Sequence, residues 1–175
     1  MANTHTLIYS STAGSGGTSS FDFTSIPSTY TDLLLKISIR SSSSVGTYDP
    51  VKIKINGSAT NITVRDIYAT GSSVGSEAPG STDANIISYS SNSANTSNAF
   101  GSLEIYISNY ASTSYAKSIS ADGVSETNGA GAILTLTSSL WNSTSAINAV
   151  NIGPYLGGST WAQYSTASLY GIKNS

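Results

Sequence analysis

Between Thr31 and Arg40 the chain reads TDLLLKISIR, and its period of two leaves few folds open. Leu33, Leu35, Ile37 and Ile39 fall on one face of an extended segment. Leu34, Lys36, Ser38 and Arg40 fall on the other. A helix would gather the polar positions on one side, whereas here they recur at every second residue. Burying the four apolar side chains is worth roughly 6–12 kcal/mol gross, an upper bound because the unfolded chain already hides part of them. The run predicts a central strand of an all-β domain. Phe21 and Phe23 open a short extended segment ahead of it, broken at Ile26-Pro27 because proline lacks an N–H and biases its predecessor away from helix.

Other strands are predicted by the same pattern. Thr6–Tyr9 predicts a first strand, and Val51–Ile55 alternates with its lysines toward water. Asn56-Gly57 comes directly after and signals a type I′ hairpin, with Ala59–Tyr68 as the return strand. The step from Val64 to Ile67 predicts a bulge or strand end near Arg65-Asp66. Ile86–Tyr89, Phe100–Tyr110, Tyr115–Ala121, Ile133–Thr137, Ala146–Ile152 and Trp161–Ile172 predict further strands. Turns are expected at Asp122-Gly123 and at Ser139–Trp141. Ser10–Ser20 reads as a flexible Gly/Ser-rich arm or loop, and Gly71–Asn85 and Ser90–Asn98 as long polar loops. The whole, residues 1–175, is expected to be a single antiparallel β-sandwich, jelly-roll-like, with about eight to ten strands.

Composition narrows function. The 175 residues include no cysteine, which removes disulfides, thiolate metal sites and cysteine nucleophiles and fits a reducing cytoplasm. Charged residues are 9% of the chain and the net charge is −2, unlike the basic footprint of a nucleic-acid binder. No charged leader precedes an apolar block in residues 1–20, so no secretory signal is expected, and no apolar run approaches a membrane span. Serine is about a fifth of the chain. Turn and sheet-surface residues of this kind suit a protein that presents hydroxyls to a partner.

Candidate chemistry is thin. His5 is the single histidine and has no evident partners for a triad or a zinc site. A glycosidase needs two facing carboxylates. Asp22, Asp32, Asp49, Asp66, Glu77, Asp83, Glu104, Asp122 and Glu126 form no local motif for one. Asp49 and Asp122 read as turn residues and Asp32 as a cap. Glu77 and Asp83 share a loop without calcium-loop spacing. Gly14–Gly17 lacks the Lys-Ser/Thr of a phosphate cradle. The sequons at Asn56, Asn61, Asn95 and Asn142 are expected by chance in such a composition. No catalytic residue, metal ligand or cofactor site is assigned. The aromatic residues are the remaining candidates, and Tyr106, Tyr89, Tyr110 and Trp161 are taken as candidate interface residues. Tyr106 lies opposite the Leu103/Ile105/Ile107 face, on a side that must meet water, a second sheet or another subunit.

The segment from Phe23 to Leu35, with Ile26-Pro27, Tyr30, Asp32 and Leu33, resembles the opening of small β-rich virion proteins of tailed bacteriophages. Their pattern is roughly F-x-x-I-P-x-x-Y-x-D-L-x-L. Glu104–Tyr110, the region of Leu140-Trp141 and the ending Gln163–Ile172 look like the same group, in the same order. The resemblance implies a non-enzymatic, jelly-roll-like virion component assembled in the host cytoplasm. Expected partners are further copies of the chain, as a homotrimer, and the major capsid protein or other virion proteins, with no nucleic acid and no membrane. The leading expectation is a head decoration (cement) protein. The alternative is a tail-fibre or receptor-binding module whose polar loops and tyrosines contact host glycan.

Overall fold

The computed structural model describes residues 4–78, 85–129 and 131–173. Pro79-Gly80 of the expected Gly71–Asn85 loop, and Asp83, lie outside them. The described residues form twelve strands in two antiparallel sheets, a jelly-roll-like β-sandwich. In chain order they are β1 (His5–Thr12), β2 (Phe21–Phe23), β3 (Asp32–Ile39), β4 (Asp49–Ile55), β5 (Ile62–Ala69) and β6 (Val74–Glu77). Then come β7 (Ile86–Ser90), β8 (Gly101–Ile107), β9 (Lys117–Ser125), β10 (Ile133–Trp141), β11 (Val150–Pro154) and β12 (Thr166–Ile172). The larger sheet runs β1-β12-β3-β8-β9-β10-β5-β6, and the smaller runs β2-β11-β4-β7. The count exceeds the expected eight to ten because the short segment at Phe21–Phe23 pairs as β2 and because β6 forms inside Gly71–Asn85, expected as a loop, on a run too short to show a period.

The core is built around β3. Leu33, Leu35, Ile37 and Ile39 are buried against Phe21, Phe23, Val51, Ile53, Ile55 and Ile152 from the smaller sheet. Lys36 and Ser38 are exposed, as the alternation requires. Leu34, Asp32 and Arg40 are also buried, so the second face of β3 is covered at both ends. Arg40 donates to the carbonyls of Thr96 (2.9 Å), Ala99 (3.0 Å) and Asn95 (3.2 Å). Burial lowers its pKa, and the carbonyls replace the lost water. That clamp, with Asn92 Nδ2 donating to Val45 O (3.1 Å) and Gly46 O (3.2 Å), ties down Ser90–Asn98.

Several expectations give way. Asn56 and Gly57 do take positive φ (50° and 80°), and Ile55 pairs with Ser58, as a type I′ turn demands. The turn is nevertheless not a hairpin between β4 and β5. Asn56 Oδ1 accepts from the N–H groups of Asn148 (3.0 Å) and Ala149 (3.1 Å), fixing the turn to the β10–β11 connection. The chain then crosses to the larger sheet, where β5 pairs with β10. Ser10–Ser20 is not a free arm. Residues 10–12 extend β1, Ala13 N donates to Ser165 O (2.8 Å), and Thr18 and Trp161 exchange backbone hydrogen bonds (3.0 and 2.7 Å). Ser139–Trp141 belongs to β10, not to a turn.

Asp122-Gly123 is likewise no turn, because β9 passes straight through it. Gly123 is there for closeness. A Cβ at this position would lie 2.0 Å from Ser88 Oγ and 3.0 Å from Thr135 Oγ1. The missing side chain lets β7 settle on β9 and lets Ser88 and Thr135 share a hydrogen bond (3.0 Å). Gly123→Val should therefore push the two sheets apart and cost about 2 kcal/mol or more, read as a lower urea midpoint with an unchanged slope.

Candidate functional site

The outer face of the larger sheet divides in two. Over β3 and β8 it is polar. Lys36 and Glu104 sit opposite each other and form an ion pair, the only one among the described residues. Over β9, β10 and β5 an apolar stripe runs through it among Ser118, Ser120, Asp122, Thr63, Arg65 and Ser138, and β10 is the reason. Its inward residues include Thr135, Thr137 and Ser139, while Leu134, Leu136 and Leu140 point outward, 52%, 53% and 38% exposed. The polarity of the strand is inverted relative to an ordinary two-layer sandwich. Among the described residues the inward hydroxyls of Ser125, Thr127, Thr137 and Ser139 have no hydrogen-bond partner.

Strand register extends the patch. Leu136 lies between Asp122 of β9 and Ile67 of β5, and Leu134 lies between Val124 and Ala69. One row further, Ser138 lies between Ser120 and Arg65. Ile67 and Val124 are themselves exposed. A groove of about 690 Å³ runs across this face, lined by Arg65, Ile67, Ser120, Leu136 and Ser138, with Asp66 and Glu77 at its β6 end. Covering Leu134, Leu136, Leu140, Ile67 and Val124 would be worth roughly 5 kcal/mol gross, since each already hides about half its surface. Isolated exposed apolar residues are ordinary, whereas here five are gathered in neighbouring register on one face.

The expected β-bulge at Arg65-Asp66 is absent. β5 holds unbroken register with β10 from Ile62 to Ala69, and the odd spacing of Val64 and Ile67 arises because they face opposite sides. Asp66 therefore points inward, 5% exposed, and Oδ1 accepts from Glu77 N (3.1 Å). Burial raises its pKa, and the Glu77 charge adds to that against the opposing hydrogen bond.

The expected interface residues separate. Trp161 and Tyr110 are fully buried and present no surface. Trp161 Nε1 donates to Ile152 O (2.9 Å), and the Tyr110 hydroxyl donates to Pro27 O. Each is an aromatic core residue whose polar atom finds a backbone acceptor. Tyr89 is half-buried, edge-on to Tyr48 with ring centroids 5.0 Å apart, and burial pushes its hydroxyl pKa up. Tyr106 stays partly exposed on the polar half, opposite Leu34. Its hydroxyl donates to Asp32 Oδ2 (2.6 Å), while Asp32 Oδ1 accepts from Asn109 N (2.8 Å). Asp32 is thus an internal tie to the β8–β9 turn, not only a cap for β3. Asp49, expected in a turn, is buried in β4 and accepts from Ser41 Oγ (2.5 Å) and Leu156 N (3.2 Å).

The Asp32 hydrogen bond, with burial and the carboxylate charge, pushes the Tyr106 pKa up to about 12 from 10.0. A folded-state value above the unfolded one stabilises the fold fully below the unfolded pKa. That contribution is lost as pH rises through the folded pKa. Tyr106→Phe should lower stability near neutrality by about 1.5 kcal/mol and flatten the alkaline loss between pH 10.0 and about 12. Melting temperature against pH for the two proteins checks this.

No group of three or more metal-ligating side chains occurs among the described residues. His5 is exposed on β1, within 3.1 Å of Thr4 Oγ1. Comparisons with family models, curated proteins and solved structures find no match to the chain.

Proposed function

We propose that this chain is a non-enzymatic structural protein of a tailed-phage particle, a head decoration protein that binds and reinforces the capsid lattice. The observation that carries the reading is the apolar outer face of β9, β10 and β5, a surface shaped for protein contact. The abundance of serine and the low charge support it, since hydroxyl-rich surfaces make wet, polar contacts around an apolar centre. The sequence resemblance supports the virion assignment. Many weak contacts repeated over a lattice would accumulate by avidity. The alternative is a tail-fibre or receptor-binding module whose loops at Gly71–Asn85 and Ser90–Asn98, with exposed tyrosines, contact host glycan.

The test is addition of purified protein to particles lacking it. Saturable binding on the order of hundreds of copies per head, with increased resistance to heat, is the expected result. A handful of copies confined to the tail, or binding to host cells alone, would overturn it.

A further inference from the structure

We propose that the apolar face of β9, β10 and β5 pairs with the same face of a second copy about a two-fold axis running along β10. The inference rests on the reading above and deepens it by giving this face to a second copy, so that lattice binding falls to the surfaces the pair leaves open. It rests on charge placement as well as on apolar exposure. Arg65 stands on the β5 flank of the stripe and Asp122 on the β9 flank, both exposed. Neither has an ion-pair partner among the described residues, whereas Lys36 and Glu104 on the same sheet neutralise each other. Arg65 Nη1 donates to Val64 O (2.7 Å) but meets no carboxylate among the described residues, so the flanks of the stripe carry opposite charges without counter-ions.

Symmetry decides between arrangements. A two-fold axis along β10 lays β9 of each copy over β5 of the other, in the aligned packing usual for stacked sheets. Asp122 then stands over Ile67 of its partner, one row from the partner's Arg65, within reach of a guanidinium. The contact forms twice. Leu134, Leu136 and Leu140 meet their own equivalents along the axis. An axis perpendicular to the strands would instead set β9 on β9 and Asp122 against Asp122. The charges select the first arrangement and close the assembly as a pair, not a ring of three. It also supplies a second layer outside β10, the strand whose inner face is rich in hydroxyls and whose outer face carries the leucines.

The apolar area is modest, so the pair should dissociate in the micromolar range, about 1–100 μM. Sedimentation equilibrium of the full chain without capsids reads this directly, and keeps it separate from any failure of particle binding. Arg65→Asp and Asp122→Arg should each weaken pairing about tenfold or more, because each places like charges across both contacts. The double variant Arg65→Asp/Asp122→Arg should restore it to near the parent value. Leu136→Ser should weaken it while leaving the melting temperature of dilute protein unchanged. A chain that stays monomeric up to about 1 mM, an odd-numbered oligomer, single reversals without effect, or a double variant that fails to recover would overturn the proposal.

Discussion

Leu35→Asp should leave no soluble folded protein. Leu35 is fully buried at the centre of β3, opposite Leu169 on one side and Ile105 on the other. A carboxylate there would either ionise without a partner or take up a proton and remain without a hydrogen bond. Either outcome, with the lost leucine packing, costs about 5 kcal/mol or more. Domains of this size have about 5–15 kcal/mol in total. The expected result is insoluble expression, or a soluble product without a cooperative transition. Normal folding would mean that the inner face of β3 is wrongly assigned.

Lys117→Met should be the most damaging change outside the apolar core. Lys117 opens β9 and is completely buried. Its ammonium donates to the carbonyls of Ser112 (2.7 Å), Ser143 (3.3 Å) and Ser145 (2.5 Å), and lies 5.4 Å from the centroid of the Trp141 ring. Three donors meet three acceptors, which joins the β8–β9 and β10–β11 connections at one end of the sandwich. Burial lowers the Lys117 pKa. Methionine keeps most of the volume but strands the carbonyls, at a cost of roughly 3 kcal/mol or more. Calorimetry should show a large fall in melting temperature, and Lys117→Arg should recover part of it. Loss no greater than that of an exposed lysine would contradict the clamp.

Where one face of a strand was distinctly apolar, the sequence was sufficient. β3, β4 and β8 alternate cleanly, and their inward residues were legible. The exposed leucine face was harder because β10 alternates Leu with Thr, so either face could have been the inner one. Ile133 and Trp141 share the parity of Thr135, Thr137 and Ser139 and are buried with them, which fixes the choice. Phase counted from Trp141 would have exposed Leu134, Leu136 and Leu140. On β5, treating Ile67 as a bulge signal hid its outward direction. Asn56-Gly57 shows the limit of local signals. Its turn chemistry was correct, but where β5 pairs depends on Asn56 holding a segment nearly a hundred residues away. Trp161 and Tyr110 are core residues, and an aromatic in a polar sequence context looks exposed until its backbone acceptor is known.

On the proposed pairing, the outer face of β9, β10 and β5 is covered in the assembled protein. Hydroxyl-radical footprinting from dilute to concentrated solution, and then on particles, measures it residue by residue. Ile67, Val124, Leu134 and Leu136 should lose reactivity together as the protein associates. Leu7, Tyr115 and Tyr164, exposed elsewhere, should keep theirs. Equal reactivity of the β10 leucines in every state, with protection appearing at another surface, would contradict the account.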